Sequence, residues 1–425
     1  MAMTRSTRST RLGLALALAT GLTACDWMDM TIAPQTILTD DQVWGQPDLI
    51  TGVLADYYSR LPFHTGFESQ DDRTTMAAYD DAIFSGIDNL EFLNNYVEYP
   101  YNFDRWNNYN LDGDDGTVWT AMYDLLRDIH VAIDGIAEAN SPTLTEPLKQ
   151  QFTAELRFLR AFVYFELVKR YGGVPLVTEQ LLYDFSGDPS SLQLPRAAEA
   201  EVYDFIGSEL DAIKDQLVNE GSQTRANRYT ALALESRAML YAASIARHNG
   251  EASTPVTLPG GEVGIPESRA AEYYQASLDA SRELINSGAY SLYQNNPEPG
   301  PNFYETLTNK TGNTEVIMAV DYAASQGRSH AWTRDVIPNS MVQDAEAIIA
   351  GSAISPTLQL VETFDYLDGS SGEMRGVGDG SNTAAGQAAW IFYDEIDDIF
   401  DGKDGRLYGT IIYPGTSFAG QDVEM

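Results

Sequence analysis

The stretch AELRFLRAFVYFELVKRYGGVPL, residues 154–176, decides the fold. Ala154, Phe158, Ala161, Phe165 and Val168 recur at steps of four and three, which sets them on one face of a helix. Thr145 stands as an N-cap and Pro147 falls in the first turn. At the other end, Tyr171-Gly172-Gly173-Val174-Pro175 stops the helix, because glycine takes up backbone angles closed to other residues and proline cannot continue the ladder.

Outward from this helix the same period repeats. Val118, Met122, Leu125, Ile129, Ala132 and Ile136 form one apolar stripe before it. After it come Val202, Ile206, Leu210, Ile213 and Leu217; then Ala231, Leu234, Ala238, Tyr241 and Ile245; then Ala271, Tyr274, Leu278, Ser281 and Ile285. The short connections between the first and second helices and between the third and fourth imply antiparallel hairpins, and stacked hairpins bury their apolar faces against each other. The strict 34-residue repeat consensus is absent, so the repeats are degenerate.

Residues 41–60 and 356–366 read as short helices, 315–321 and 410–413 as short strands, and 249–266, 294–302 and 368–386 as loops. The expected fold is mainly α: tetratricopeptide-like helical hairpins stacked into an α superhelix, with irregular loop-rich insertions and a few short strands.

The leader carries Arg5, Arg8 and Arg11 without an acid, then an apolar run from Leu12 to Leu22. It is about half the roughly 20 residues a membrane-spanning helix needs, and it reads as a secretory signal over residues 1–24. Leu22-Thr23-Ala24-Cys25 resembles the lipobox at which bacterial lipoproteins are cut and acylated, and Cys25 is the sole cysteine of 425 residues. Acylated Cys25 would hold the protein to a membrane without spanning it. The remaining domain then has no disulfide and depends on a large core.

Removing the signal leaves 23 basic against 62 acidic residues, a formal charge of −39, which argues against nucleic acid as a partner. No zinc ligand set, Gly-x-Ser-x-Gly elbow or phosphate loop is present, and His64, His130, His248 and His330 are isolated from one another. Asp112-Gly113-Asp114-Asp115-Gly116, or Asp397, Asp398, Asp401 and Asp404, could offer oxygens to calcium, but neither completes an EF-hand loop; the expectation is no cofactor.

Sugars present an apolar C–H face edged by hydroxyls, so they ask for flat aromatic rings beside planar hydrogen-bonding groups. Residues 99–110 interleave the two: Tyr101, Trp106 and Tyr109 among Asp104, Arg105, Asn107 and Asn108. A second such stretch, 326–332, holds Arg328 and Trp332. These nine residues are the candidate glycan site, while Trp119, on a helix, is expected in the core.

The 154–176 segment closely resembles the hallmark of the SusD/RagB family. Further similarities follow in family order: Leu194-Pro195-Arg196 leading to Glu201-Val202-Tyr203, Tyr229-Thr230-Ala231-Leu232-Ala233-Leu234, Tyr274-Gln275-Ala276 leading to Ser287-Gly288-Ala289-Tyr290, and Asn313-Thr314-Glu315-Val316-Ile317. Ser355-Pro356-Thr357-Leu358-Gln359-Leu360-Val361 and Asp404-Gly405-Arg406-Leu407-Tyr408 fit as well.

The resemblance implies a single SusD-like domain over residues 25–425, with an N-terminal part to about residue 220 and a RagB/SusD part from there on. It also implies a non-catalytic surface lipoprotein, anchored in the outer membrane, that binds glycan and serves a SusC-like TonB-dependent transporter. The family continues past the region of Arg406-Leu407-Tyr408 into another helical segment, so the expectation is a C-terminally truncated chain. A peptide-binding or other interaction module for the same kind of transporter stays open from the sequence, and so does a glycoside hydrolase, which needs only two suitably spaced carboxylates.

Overall fold

The computed structural model describes residues 40–61, 82–84, 118–183, 185, 187–219, 222–323, 325, 337, 354–373, 400–418 and 421–423. Two N-terminal helices, α1 (Asp40–Trp44) and α2 (Pro47–Ser59), precede the long ones: α3 (Val118–Glu138), α4 (Glu146–Tyr171), α5 (Glu199–Ile213), α6 (Arg228–Glu251) and α7 (Ala270–Ser287). Then come α8 (Pro299–Thr308), α9 (Leu358–Glu362) and α10 (Gly405–Thr410). Strands are short among the described residues: β1 (Ala82–Phe84) pairs antiparallel with β2 (Ile354–Pro356), and β3 (Ser417–Phe418) with β4 (Gln421–Asp422).

Helices α3 to α7 pack in chain order, each on the next. Contacts at both ends show the antiparallel sense. On α3 and α4, Trp119 meets Tyr171 at one end while Lys149 donates to the Ala139 carbonyl at the other, 2.7 Å away. For α6 and α7, Arg228 pairs with Glu283, and Gly250 at the far end lies against the Glu267 side chain just before α7. The fold is therefore the stack of helical hairpins that the apolar periodicity predicts.

The predicted stripe of α3 is buried from Met122 to Ile136, and that of α4 at all five positions. Helix α4 goes further, with 14 buried residues on several sides, because α3, α5 and α2 all lean on it. Thr145 occupies the N-cap position with extended backbone, but its side chain makes no capping hydrogen bond. On α5 the predicted face is buried, and Leu217 beyond its end is buried too.

The faces of α6 and α7 depart from prediction in phase. Ala231, Leu234 and Ala238 are buried, but Tyr241 is 45% exposed, and the second half of α6 turns Ala242, Ala243 and Ala246 inward instead. On α7 the buried residues are Ala270, Tyr273, Ser277 and Ala280, whereas Tyr274, Leu278 and Ile285 face outward. Close packing explains the choice: Ser236 of α6 bonds Ser281 at 2.6 Å and Ser277 at 3.4 Å, a separation that bulky residues on this face would not permit. Tyr273 fits because its hydroxyl reaches Asp204, 2.8 Å away on α5.

Neither predicted strand forms. Residues 315–321 are irregular; their neighbourhood is tied to the α5–α6 connection, where Gln223 donates to the carbonyls of Asn313 and Val316 and Ala319 N–H donates to the Gln223 carbonyl. At 410–413, Thr410 ends α10 and the rest is irregular. The predicted helices at 41–60 and 356–366 correspond to α1 with α2 and to α9.

A smaller apolar cluster of Val361, Leu407 and Ile411 joins α9 to α10. Helix α8 crosses α10 on glycine: a Cβ on Gly409 would lie 2.5 Å from the Gly300 carbonyl oxygen, and one on Gly405 would lie 2.2 Å from Pro299 Cβ.

One acid in the α5–α6–α7 packing is poorly accommodated. Glu235 Oε2 is buried without a hydrogen-bond partner. The nearby Lys214 ammonium is already engaged by Asp211 at 2.8 Å and Glu283 at 3.0 Å. Burial raises the Glu235 carboxyl to about 7, against an ordinary value of 4.5. A raised folded-state pKa contributes stability that is fully present below the unfolded value and is lost as pH rises through the folded one. Stability should therefore fall between about pH 5 and 8, by at most about 3 kcal/mol from this group. Denaturant titrations at pH 5 and pH 8 should show Glu235→Gln flattening that fall and being more stable than the unsubstituted chain at pH 8; an identical pH slope in both would show that Glu235 is not the cause.

Candidate functional site

The hallmark turn after α4 begins a long excursion that starts and ends at the same place. Gly172 has φ +69°, and a Cβ on Gly173 would lie 1.9 Å from the Ala197 carbonyl oxygen, so no larger residue fits there without moving the chain. Ala197 N–H donates to the Val174 carbonyl at 3.1 Å, closing residues 175–196 into a loop. Arg196 clamps the root from outside, donating to the carbonyls of Gly173 at 2.7 Å and Tyr171 at 2.6 Å, the acceptors a helix C-terminus leaves open.

The first strand-like arm, 174–178, lies between α3 and α4 and is pinned by side chains from both. Tyr123 donates to the Pro175 carbonyl at 2.8 Å. The Tyr164 hydroxyl accepts from Val177 N–H at 2.7 Å and donates to the Val177 carbonyl at 3.0 Å. His130 Nε2 donates to the same carbonyl at 3.0 Å, and burial lowers its pKa. Arg160 donates to the Thr178 carbonyl at 3.2 Å.

Arg160 is itself held. Its guanidinium and that of Arg157 both pair with Glu209 of α5, Arg157 at 2.7 Å. Burial alone would raise the Glu209 carboxyl, but the two guanidiniums hold it below the usual range. Arg160 and Glu209, both buried, are thus partnered, as a dry interior requires.

Beyond the pinned arm the loop exposes apolar side chains. Leu182 is 72% exposed and Phe185 is 88%, with Leu181 and Tyr183 beside them. The Tyr183 and Phe185 rings lie 5.3 Å apart at 60°. Sequence periodicity does not point to these residues. The signal available is an aromatic pair, Tyr183 and Phe185, set among turn formers after a Gly-Gly-x-Pro stop.

The sequence-predicted glycan residues Tyr101, Asp104, Arg105, Trp106, Asn107, Asn108, Tyr109, Arg328 and Trp332 lie outside the described residues, as does Cys25. Residues 99–110 lead into α3, where Trp119 is half-buried against the core, its ring 5.0 Å from Tyr123 and from Tyr171, in keeping with its expected core position. Residues 326–332 follow the segment tied down by Gln223.

Of the calcium candidates, 112–116, Asp397 and Asp398 lie outside the described residues. Asp404 accepts from the backbone and guanidinium of Arg406 at 2.8–3.0 Å. Next to it the Lys403 ammonium, fully buried, donates to the Phe364 and Gly372 carbonyls and sits 4.3 Å over the Tyr366 ring, so this carbonyl-lined spot already holds a cation. Among the described residues no group of three or more His, Cys, Asp or Glu could hold a metal ion, and no helix is long and apolar enough to cross a membrane.

Comparison with known proteins adds the following. Residues 65–240 match a family described as starch-binding, associating with the outer membrane, and residues 314–425 match the SusD family. A curated relative, SusD-like protein P38 of Formosa agariphila, is 25% identical over 230 residues, which make up 52% of this chain and 40% of that protein. A solved SusD-like protein of Bacteroides fragilis has a TM-score of 0.60 at 22% identity, covering 90% of this chain and 64% of that one. A second structure from the same species, a SusD-like carbohydrate binding protein, has a TM-score of 0.56 at 17% identity, covering 89% of this chain and 62% of the other. The match thus spans less than two thirds of the length of each of these relatives.

The pinned arm makes a prediction. Tyr164→Phe removes the acceptor for Val177 N–H and should cost about 1–3 kcal/mol. Hydrogen exchange should show the Val177 amide losing protection while amides in the middle of α6 keep theirs; unchanged Val177 protection would mean that the hydroxyl does not hold the arm.

Proposed function

The chain belongs to the SusD/RagB family, and from that premise we propose that it is a non-catalytic, cell-surface lipoprotein. It binds poly- or oligosaccharide and delivers it to a SusC-like TonB-dependent outer-membrane transporter, with Cys25 carrying the lipid.

The observation that carries this reading is the match of residues 65–240 to a family described as starch-binding and associating with the outer membrane, because that stretch contains the aromatic run 99–110. The carbohydrate-binding description of one structural neighbour supports it. In this reading Tyr101, Trp106, Tyr109 and Trp332 stack on sugar rings, and Asp104, Arg105, Asn107, Asn108 and Arg328 hydrogen-bond the hydroxyls.

The scaffold suits that role. Binding is stronger when the contacting loops are already ordered, since less conformational entropy is lost on contact. In sequence, the first run precedes α3, whose Trp119 packs on Tyr171, and the second follows a segment fixed by Gln223 and by the Lys310–Asp321 pair.

In native gels containing a panel of polysaccharides, the unacylated protein, Cys25→Ser, should be retarded by at least one of them. Trp106→Ala combined with Trp332→Ala should abolish that retardation while circular dichroism stays unchanged. Undiminished retardation in the double variant would remove these loops from the site. Co-purification with an outer-membrane barrel and no retardation by any polysaccharide would favour a peptide or other nutrient as cargo.

A further inference from the structure

The tip of the 175–196 loop carries the most exposed aromatic side chain among the described residues, Phe185, and presents it from an uncommon backbone. Phe185 has φ +57°, in the left-handed region that non-glycine residues seldom occupy. One hydrogen bond spans it and a second follows it. The Tyr183 hydroxyl accepts from Gly187 N–H at 2.8 Å, and Asp188 Oδ1 accepts from Ser190 N–H at 2.9 Å. The root of the loop is fixed by Tyr123, Tyr164, Arg160 and Arg196. The root of the loop is thus braced, while Phe185 stays 88% exposed and Tyr183 37%.

We propose that Tyr183 and Phe185 form a second sugar-stacking platform, separate from the 99–110 and 326–332 stretches, which engages polysaccharide chains. This inference rests on the glycan-binding reading above. Two features favour a glycan over a lipid surface or a flat protein face. The rings stand at 60° to each other, so both cannot lie flat on one plane, yet successive sugar rings of a polymer are rotated about their linkage and can each meet one of them. The same loop also carries exposed Glu179, Asp188 and Gln193; carboxylates and amides suit hydroxyl groups, whereas acids are repelled by an anionic leaflet.

A second platform adds to binding only when a ligand is long enough to reach both sites, by raising the effective concentration at the second once the first is engaged. The test compares Tyr183→Ala/Phe185→Ala with the unsubstituted unacylated protein on the polysaccharide that retards it and on a trisaccharide of the same linkage. Polymer affinity from gel retardation should fall roughly three- to tenfold, the size expected for losing aromatic contacts. Trisaccharide affinity by calorimetry should be unchanged, and Phe185→Tyr should behave like the unsubstituted protein.

Unchanged polymer affinity in the Tyr183→Ala/Phe185→Ala variant, with Trp106→Ala/Trp332→Ala still abolishing retardation, would overturn the second platform and leave the main reading standing. Loss of co-purification with the transporter at full polymer affinity would overturn it in favour of a protein-docking tip. No retardation of the unsubstituted protein by any polysaccharide would remove the glycan reading, and this inference with it.

Discussion

Ionisable groups on a helix packed on several sides have to be matched, and on α4 three of them are buried: Glu155, Arg160 and Glu166. Glu155 accepts from two guanidinium nitrogens of Arg225, at 2.7 and 3.1 Å, and from the hydroxyl of Tyr58 on α2. Arg160 shares Glu209 with Arg157, and Glu166 holds Lys169 and Arg170 one turn along its own helix. An unpaired charge in such a place costs several kcal/mol, so sliding or rotating α4 against its neighbours would break pairs as well as apolar contacts. The Glu155 and Arg160 pairs therefore help to set the register in which α2 and α5 lean on α4.

That register is what the functional surface inherits. Arg160 faces Glu209 with part of its guanidinium and the loop carbonyl of Thr178 with another, so the same residue that fixes α4 against α5 fixes the first arm of the exposed loop. Tyr164, one turn on, pins Val177, and Tyr171 at the helix end receives both Trp119 and Arg196. A line of side chains along one helix thus connects the core to the 175–196 loop and to Trp119 near the start of α3.

Much of the helical body was legible because burial on α3, α4 and α5 follows a simple period. On α7 the period alone was ambiguous: Ala270, Tyr273, Ser277 and Ala280 are spaced as helically as Tyr274, Leu278 and Ile285, and hydrophobicity favours the second set. Tight approach to α6 selects the first, and that approach is a property of two helices together. The Val316-Ile317 run reads as a strand by β-branching, yet Gln223, far away in sequence, takes up the Val316 carbonyl. Glu155–Arg225 spans 70 residues, and nothing local announces it. The Tyr183 and Phe185 tip was missed because loop aromatics have no period; their exposure is visible only in three dimensions.

The central claim is that a rigid helical body presents aromatic loops to a glycan. Hydrogen exchange of the protein with and without a polysaccharide that binds it tests this most directly. The account predicts new protection in peptides covering 99–110 and 326–332, with the already protected amides of α4 unchanged. Protection confined to other parts of the chain, or a loosening of α4 on binding, would contradict it.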